Sequence, residues 1–71
     1  MTFGLWIHNK RIAAKLTLQE VGEIAGMGKS NLSKLERGIQ IEVQISKIRP
    51  LCRALGVTEG ELLDAWDEYG K

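Results

Sequence analysis

The segment "GMGKSNLSKLERG", residues 26–38, contains the residue types most able to carry out chemistry in this chain. The succession Gly28, Lys29, Ser30 matches the end of a phosphate-binding loop, in which lysine and backbone N–H groups hold nucleotide phosphates. The same residues could instead open a short helix that presents Lys29, Ser30 and Lys34 to DNA. The first interpretation predicts a nucleotide enzyme and the second a binding protein.

The residues upstream of Gly28 exclude the phosphate-loop interpretation. Such a loop needs a glycine five positions before the glycine of Gly-Lys-Ser, and that position is Glu23. Its carboxylate would repel phosphate, and Gly22 is one residue out of register. A chain of 71 residues also cannot supply the parallel sheet that surrounds these loops.

Other catalytic or metal-binding chemistry is equally poorly supported. His8 is the only histidine and Cys52 the only cysteine, so neither a Cys/His metal cluster nor a Ser-His-Asp set can be assembled. We expect His8 to face solvent and Cys52 to be a small buried residue. The acids Glu59, Glu61 and Asp64 fit the first turn of a helix, where they complement the helix dipole. The sequence therefore predicts no enzyme, no catalytic or metal-binding residue and no cofactor.

Length and composition predict one small domain over residues 1–71. The hydrophobic fraction of 44% and the charged fraction of 27% are typical of a globular protein. The start, "MTFGLWIHNKR", has no apolar run long enough for a signal peptide or membrane span. We therefore expect a cytoplasmic protein that neither crosses a membrane nor acts on a small-molecule substrate.

Charge is distributed unevenly along the chain. Residues 1–58 hold nine Lys/Arg against four Asp/Glu, a balance of +5, whereas residues 59–71 hold Lys71 against five acids, a balance of −4. A basic body that binds an anion, with an acidic C-terminal segment facing solvent or a partner, fits this division.

Helical periodicity covers most of the chain. A first helix is predicted over roughly residues 3–15, and its apolar stripe comprises Phe3, Leu5, Trp6, Ile7, Ile12 and Leu16. Thr17 and Glu20 form a capping box that opens a second helix over 18–25. That helix ends at Gly26 and is expected to bury Val21, Ile24 and Ala25.

Three more helices follow. The third runs from about residue 28 or 29 to 37, with Leu32 and Leu35 inward, so the sequence predicts an all-α fold of five helices. "RPLCRALG" predicts a short fourth helix with Pro50 in its first turn. A second capping box, formed by Thr58 and Glu61, opens the last helix.

Residues 38–48, "GIQIEVQISKI", are ambiguous. Ile39, Ile41, Val43 and Ile45 alternate with polar residues, as in a strand, yet Ile41, Ile45 and Ile48 also share one helical face. A lone strand has nothing in this chain to pair with. We favour an irregular connection, and an edge that pairs with another subunit is the alternative.

The second and third helices, with the turn at Gly26, have the spacing of a helix-turn-helix unit over about residues 18–37. In such a unit the second helix lies in the major groove of DNA. The outward residues of the third helix can all donate hydrogen bonds and none is acidic; they are Lys29, Ser30, Asn31, Ser33, Lys34 and Arg37. Lysine and serine are among the side chains that read base edges.

Three segments of the chain resemble the lambda-repressor-like, Cro-type (XRE) helix-turn-helix family of phage and bacterial regulators. They are "FGLWIHNKR", "LTLQEVGEIAGMGKSNLSKLERG" and "LCRALGVTEGELL", and together they span residues 3–63. The resemblance implies a compact all-α domain of five helices with residues 29–36 as the recognition helix. It makes Lys29, Ser30 and Lys34 the base-reading residues.

The resemblance also implies roles outside base reading. Asn31, Ser33, Arg37 and Gln19 are the residues expected near the DNA backbone. Arg11 is expected to form a structural ion pair with Glu36, because a carboxylate on the inner face of a small domain needs a cationic partner. The planar guanidinium of arginine suits that role better than Lys10 or Lys15 does.

Three positions depart from the family pattern. Leu18 stands where a phosphate-binding glutamine is common, Gly22 where alanine is usual, and Gly28 where serine or threonine usually caps the recognition helix. These changes predict a weaker phosphate clamp or a less rigid recognition helix.

A single recognition helix covers few base pairs, so the family implies a homodimer on double-stranded DNA with half-sites one helical turn apart. The candidate dimer surfaces are Leu62, Leu63, Trp66 and Tyr69, or the stretch Ile39–Ile45. We expect a sequence-specific transcriptional regulator, a repressor of phage or bacterial origin. The alternative is a protein-interaction module on the same fold, such as an antitoxin or an assembly adaptor.

Overall fold

The computed structural model describes residues 1–40 and 42–70, and Ile41 and Lys71 lie outside the described residues. Five α-helices, and no strand, are found in this part of the chain. They are α1 (Phe3–Ala13), α2 (Leu18–Ala25), α3 (Lys29–Glu36), α4 (Ile45–Leu55) and α5 (Glu59–Tyr69). The all-α architecture of five helices predicted from the sequence is confirmed.

Threonine side chains cap the beginnings of three helices: Thr2 caps α1, Thr17 caps α2 and Thr58 caps α5. Thr17 Oγ1 accepts from the N–H of Glu20 at 3.1 Å, and the Glu20 carboxylate accepts from the N–H of Thr17 at 3.0 Å. Thr58 and Glu61 repeat this arrangement at the start of α5. Both predicted capping boxes are therefore confirmed, and each satisfies two N–H groups that a helix start leaves without an intrahelical acceptor.

The turn between α2 and α3 depends on two glycines. Gly26 adopts the left-handed conformation with φ of 67°, which glycine adopts without the steric penalty of a Cβ. A Cβ at Gly22 would lie 2.6 Å from the carbonyl oxygen of Met27. The turn can therefore fold back onto α2, and the N–H of Met27 donates to the carbonyl of Gly22 at 2.9 Å.

All five helices contribute to the core. Its largest fully buried side chains are Val21, Ile7, Leu32, Leu35 and Leu51. α2 packs mainly on α4, and α1 lies against α3 and α5. The predicted inward positions of α3, Leu32 and Leu35, are confirmed.

Three apolar residues predicted to be inward are exposed instead. Leu5 is 44% exposed, Ile12 53% and Ile24 48%. At 100° per residue, Leu5 and Ile12 fall on the side of α1 opposite Phe3, which is buried. The apolar residues of α1 lie on two faces of the helix. Packing against α3 and α5 buries the face that contains Phe3 and leaves Leu5 and Ile12 exposed.

The fourth helix is longer than predicted. α4 begins at Ile45, so the prediction that Pro50 lies in its first turn is wrong. Pro50 cannot donate to the carbonyl of Ser46 four residues earlier, but Ser46 is exposed to solvent. The irregular connection predicted over residues 38–48 is confirmed for the described residues between α3 and Ile45, and it is wrong for residues 45–48, which are helical. Ile41 lies outside the described residues.

Candidate nucleic-acid interface

α3 has a buried side and an exposed side. Leu32 and Leu35 are 0% and 1% exposed and hold the helix against α1 and α2. The outward residues Lys29, Ser30, Asn31, Lys34 and Arg37 are exposed, and Ser33 is half-buried at the edge of this face. The residues expected on the recognition face therefore share one accessible surface of α3 and its C-cap, Arg37.

This surface carries cations and hydrogen-bonding groups. Lys29, Lys34 and Arg37 supply positive charge, and the side chains between them are hydroxyls and an amide. The one acid of α3, Glu36, is turned inward, where its side chain is only 7% exposed. The outer side of the helix can therefore approach a polyanion without repulsion from its own carboxylate.

The N-terminus of α3 is open. Gly28 is the N-cap residue, in an extended conformation with φ of −68° and ψ of 143°, and it makes no side-chain capping hydrogen bond. The N–H groups of the first turn are thus not covered by a cap hydroxyl, and the helix dipole adds partial positive charge there. An approaching phosphate or base edge can accept from these groups.

A hydrogen-bonded cluster fixes the other end of α3 to α1. Arg11 Nε donates to Glu36 Oε2 at 2.7 Å, and Arg11 Nη2 donates to Glu36 Oε1 at 3.1 Å. Arg11 Nη1 also donates to the carbonyl of Leu16 at 2.8 Å. The two side chains are 11% and 7% exposed, so the pair is largely shielded from water. Arg11 thereby neutralises Glu36 and ties α3 to α1 and to the segment that follows α1.

His8 belongs to the same cluster, and its predicted solvent-facing role is wrong in part. Its side chain is 41% exposed, but Nδ1 lies 2.8 Å from Glu36 Oε1 and 3.2 Å from Arg11 Nη2. His8 precedes Arg11 by three positions and so lies on the same face of α1. This three-residue spacing is the signal in the sequence that could have indicated the contact, which was not predicted.

Gln19 belongs to α2 and not to α3. It is exposed, and its Nε2 donates to Glu23 Oε1 at 3.4 Å. Leu18, the residue at the first position of α2, is half-buried against the core. Position 18 therefore has no glutamine to contact DNA. The glutamine next to it, Gln19, is paired with the Glu23 carboxylate.

Lys47 is a cation beside the turn before α3, and it is not among the residues predicted to contact DNA. Its Nζ lies 3.1 Å from the point that a Cβ on Gly26 would occupy, so it stands beside the turn. A shallow cleft of about 130 Å³ runs between this lysine and the start of α3. The cleft is lined by Gly26, Met27, Gly28, Asn31, Gln40, Glu42, Gln44 and Lys47.

Two groups outside α3 have shifted pKa values. Burial, with the nearby carboxylates of Glu59 and Glu61, raises the pKa of the Cys52 thiol. The hydrogen bond from the Thr58 backbone N–H lowers the pKa of Glu61. Cys52 is 3% exposed, as expected for a small buried residue.

Residues 1–40 and 42–70 contain no group of three or more His, Cys, Asp or Glu placed to hold a metal ion. No helix within these ranges is both long and apolar enough to cross a membrane.

A short α2, a glycine turn and an α3 with a basic outer face define a helix-turn-helix fold of the type found in DNA-binding regulators. A family model described as "Helix-turn-helix domain" matches residues 3–66. The chain belongs to this family, in its lambda-repressor-like (XRE) branch. Among proteins of curated function, none matches the chain.

Three solved structures are similar over most of the chain. The N-terminal DNA-binding domain of SinR from Bacillus subtilis is 34% identical, with a TM-score of 0.78 over 87% of this chain and 90% of that one. The restriction-modification controller protein C.AhdI from Aeromonas hydrophila is 28% identical, with a TM-score of 0.76 over 84% and 89%. The clp gene regulator ClgR from C. glutamicum is 29% identical, with a TM-score of 0.75 over 93% and 84%.

Proposed function

We propose that this protein is a sequence-specific DNA-binding regulator of transcription. It is a repressor that acts as a homodimer in the cytoplasm, and it is encoded by a bacterium or by a phage. The observation that carries the proposal is the exposed face of α3, on which cations and hydroxyls stand together while Glu36 is turned inward. Such a face matches the negative potential and the acceptor groups of the major groove.

The outer face of α3 from Lys29 to Lys34 is the part assigned to base reading. Lys29 and Ser30 occupy its first turn and Lys34 lies one turn further along, four residues from Ser30. Lysine donates to O6 and N7 of guanine, and serine can donate or accept at several bases. These three side chains would therefore read neighbouring base pairs along one groove.

Contacts to the DNA backbone would come from residues around this helix. Asn31, Ser33 and Arg37 lie on α3 or at its C-cap, and Gln19 extends the set to α2. We add Lys47, because it stands beside the turn that leads into α3. Backbone contacts position the protein on the duplex without reading sequence, so this set would act on all DNA alike.

The similar structures support the same class of activity. One is named as a DNA-binding domain and another as a gene regulator. Two copies on a two-fold-related site would place two α3 helices in successive major grooves, roughly 34 Å apart, and so double the sequence that is read.

The test begins with selection of bound duplexes from a random DNA pool, followed by affinity measurements on the selected site. Replacing Lys34 by alanine is expected to weaken binding to that site by about 1–3 kcal/mol and to relax preference at one base pair. Log affinity is expected to fall linearly with log salt concentration, because bound cations are released from the DNA.

Lys10→Ala is the matched control for Lys34→Ala. It removes the same charge, but Lys10 lies over the ring of Trp6, 5.7 Å from its centroid, on the side of α1 near α5. Affinity for the selected site should change little in this variant. Equal loss in both variants, or affinity that does not respond to salt, would contradict base reading by α3.

A second candidate function is a protein-interaction module, such as an antitoxin or assembly adaptor. The exposed side chains of Ile39, at 66%, and Ile45, at 88%, favour it, because large apolar groups on a surface often mark a protein contact. A gel shift on random DNA at low salt, run beside a pull-down from host lysate, separates the two. Absence of any DNA shift, with one protein captured, would favour the second candidate.

A further inference from the structure

The turn after α3 leaves one apolar side chain exposed. Ile39 is 66% exposed, and the described residues that pack on the core do not include it. It follows Gly38, whose φ of 77° turns the chain back over the end of the helix. Because this left-handed conformation is strained for other residues, the glycine determines where Ile39 lies.

Two backbone hydrogen bonds place Ile39 beside Lys34. The N–H of Ile39 donates to the Lys34 carbonyl at 2.9 Å, and the N–H of Gly38 donates to the Leu35 carbonyl at 3.2 Å. This pair of bonds defines a Schellman motif, in which the residue after the glycine lies against the third-to-last residue of the helix. The neighbour of Ile39 is therefore one of the three residues assigned to base reading.

The exposed surface of Ile39 is continuous with the outer face of α3. In a Schellman motif the apolar residue after the glycine frequently packs on an apolar side chain of the last helical turn. Here it lies beside Lys34, which is itself exposed, so the isoleucine keeps most of its surface in solvent. A β-branched side chain has few rotamers and loses little conformational entropy when it is covered. Ile39 is thus an apolar group available to a ligand that approaches α3.

We propose that Ile39 is a specificity-determining residue that contacts the C5-methyl group of a thymine, in a base pair next to the one that Lys34 reads. The thymine methyl is the apolar group among the base edges of the major groove, and apolar side chains recognise it. Lysine donates to O6 and N7 of guanine, so the two neighbouring side chains would prefer a guanine and a thymine in adjacent base pairs. The contact requires α3 to lie in the major groove, and the proposal therefore rests on the proposed function.

Other groups on DNA fit Ile39 less well. Phosphate oxygens need a hydrogen-bond donor, which an isoleucine side chain lacks. Cytosine in place of thymine presents an amino group and no methyl, and covering that donor with an alkyl chain leaves it without an acceptor. A contact with another protein would also bury Ile39, and the experiment separates that contact from a thymine.

The experiment replaces each thymidine of the selected duplex in turn by deoxyuridine, which lacks only the methyl group. Wild-type protein is expected to bind about three- to fivefold more weakly when one particular thymine of the half-site is replaced, the loss that corresponds to one buried methyl group. That thymine should adjoin the base pair at which Lys34→Ala relaxes the sequence preference. Deoxyuridine at the other thymines should have little effect on the affinity.

Ile39→Ala tests whether this side chain is the one that detects the methyl group. The variant keeps Gly38 and changes an exposed position, so it should fold as the wild type does, which far-UV circular dichroism measures. Its affinity for the thymine duplex should fall by about three- to tenfold, while deoxyuridine at the critical position should weaken it no further. Ile12→Ala is the matched control, since Ile12 is 53% exposed on α1, outside the helix-turn-helix unit. It should keep the full response to deoxyuridine.

The outcomes separate the thymine contact from the proposed function. Wild-type protein that responds to deoxyuridine at no thymine, or an Ile39→Ala variant that retains the response, would overturn the contact. Lys34→Ala could still relax the preference at its own base pair in either case, and the proposed function would then stand. A pool selection that yields no preferred site would instead overturn the proposed function, and the thymine contact with it. Loss of a captured host protein in Ile39→Ala, with an unchanged response to deoxyuridine, would assign the side chain to a protein contact.

Discussion

At the scale of single residues, the ion pair between Arg11 and Glu36 is the contact with the largest expected effect on stability. Both side chains are nearly buried, and removing one partner of a buried pair leaves an uncompensated charge. Arg11 retains its hydrogen bond to the Leu16 carbonyl, so the loss should fall at the lower end of the usual range.

Glu36→Ala is therefore expected to lower the free energy of unfolding by about 3 kcal/mol, as measured by urea denaturation. Glu36→Gln retains a hydrogen-bond acceptor and should lose less, so it provides a folded variant if the alanine variant unfolds. The exposed pair of Arg49 and Glu59 is the control, and Arg49→Ala should lose less than about 1 kcal/mol. Similar losses at both pairs would show that shielding from water does not govern these contacts.

Residue types alone were enough to predict much of the site, but not all of its contacts. An inward carboxylate on α3 needs a cation, which is why Glu36 required a partner from another helix. The contact of His8 with Glu36 was missed because a lone histidine has no fixed preference for surface or interior. The position of Lys47 beside Gly26 depends on where α4 begins, and the sequence did not indicate that start.

At the scale of elements, the approach of α1 to the end of α3 depends on the absence of a side chain at Gly4. A Cβ at this position would lie 2.6 Å from the Glu36 carbonyl oxygen, a backbone atom that cannot move aside by rotation. Gly4 is buried within α1, where alanine would otherwise be the better helix former.

Gly4→Ala should therefore destabilise the fold by about 1–2 kcal/mol, because steric strain exceeds the gain in helix propensity. Gly60→Ala is the matched control, since Gly60 is exposed on α5 and a Cβ there has no atom closer than 3.8 Å. That variant should be stabilised by up to about 1 kcal/mol in the same thermal or urea denaturation. A stabilised Gly4→Ala would mean that α1 and α3 do not approach as described.

The capping box of α5 predicts a pH dependence of stability. The backbone hydrogen bond from Thr58 lowers the folded-state pKa of Glu61 below that of the unfolded chain, so the ionised carboxylate stabilises the fold. This contribution is present above the ordinary glutamate pKa and is lost as pH falls through the lowered value.

The difference in stability between wild type and Glu61→Gln should therefore shrink as pH falls through that window. Urea denaturation at a series of pH values measures it, and a carbon-13 NMR titration of the Glu61 carboxyl gives its pKa independently. A constant difference, together with an unshifted carboxyl titration, would remove the capping box as the cause.

Helix starts and stops were predictable where a single residue type determines them. Thr17, Thr58 and Gly26 act through local hydrogen bonds or backbone conformation, so the sequence is enough to place them. The start of α4 was not predictable, because the alternation of apolar residues before Ile48 suits a strand and a helix equally. Contacts of α4 with α2 and α5 decide between them, and these are tertiary.

At the scale of the whole molecule, the two proposed activities, DNA binding and association of two copies, use separate surfaces. α3 presents its cations on one side, while the candidate dimer residues Leu62, Leu63 and Trp66 line an apolar groove of α4 and α5. The uneven charge of the sequence has the same division, with the five acids of residues 59–71 all in or around α5. DNA binding and association of two copies can therefore occur together.

The most direct test of the central claim is amide chemical-shift mapping of the nitrogen-15-labelled protein during titration with its selected duplex. The proposed function predicts the largest changes at Lys29, Ser30 and Lys34, with smaller ones at the Gly26–Gly28 turn and at Lys47. Control titrations with a duplex of shuffled sequence should shift the turn and Lys47 but leave the three base-reading positions less affected. Unchanged signals at Lys29, Ser30 and Lys34 in the specific complex would contradict the placement of α3 in the major groove.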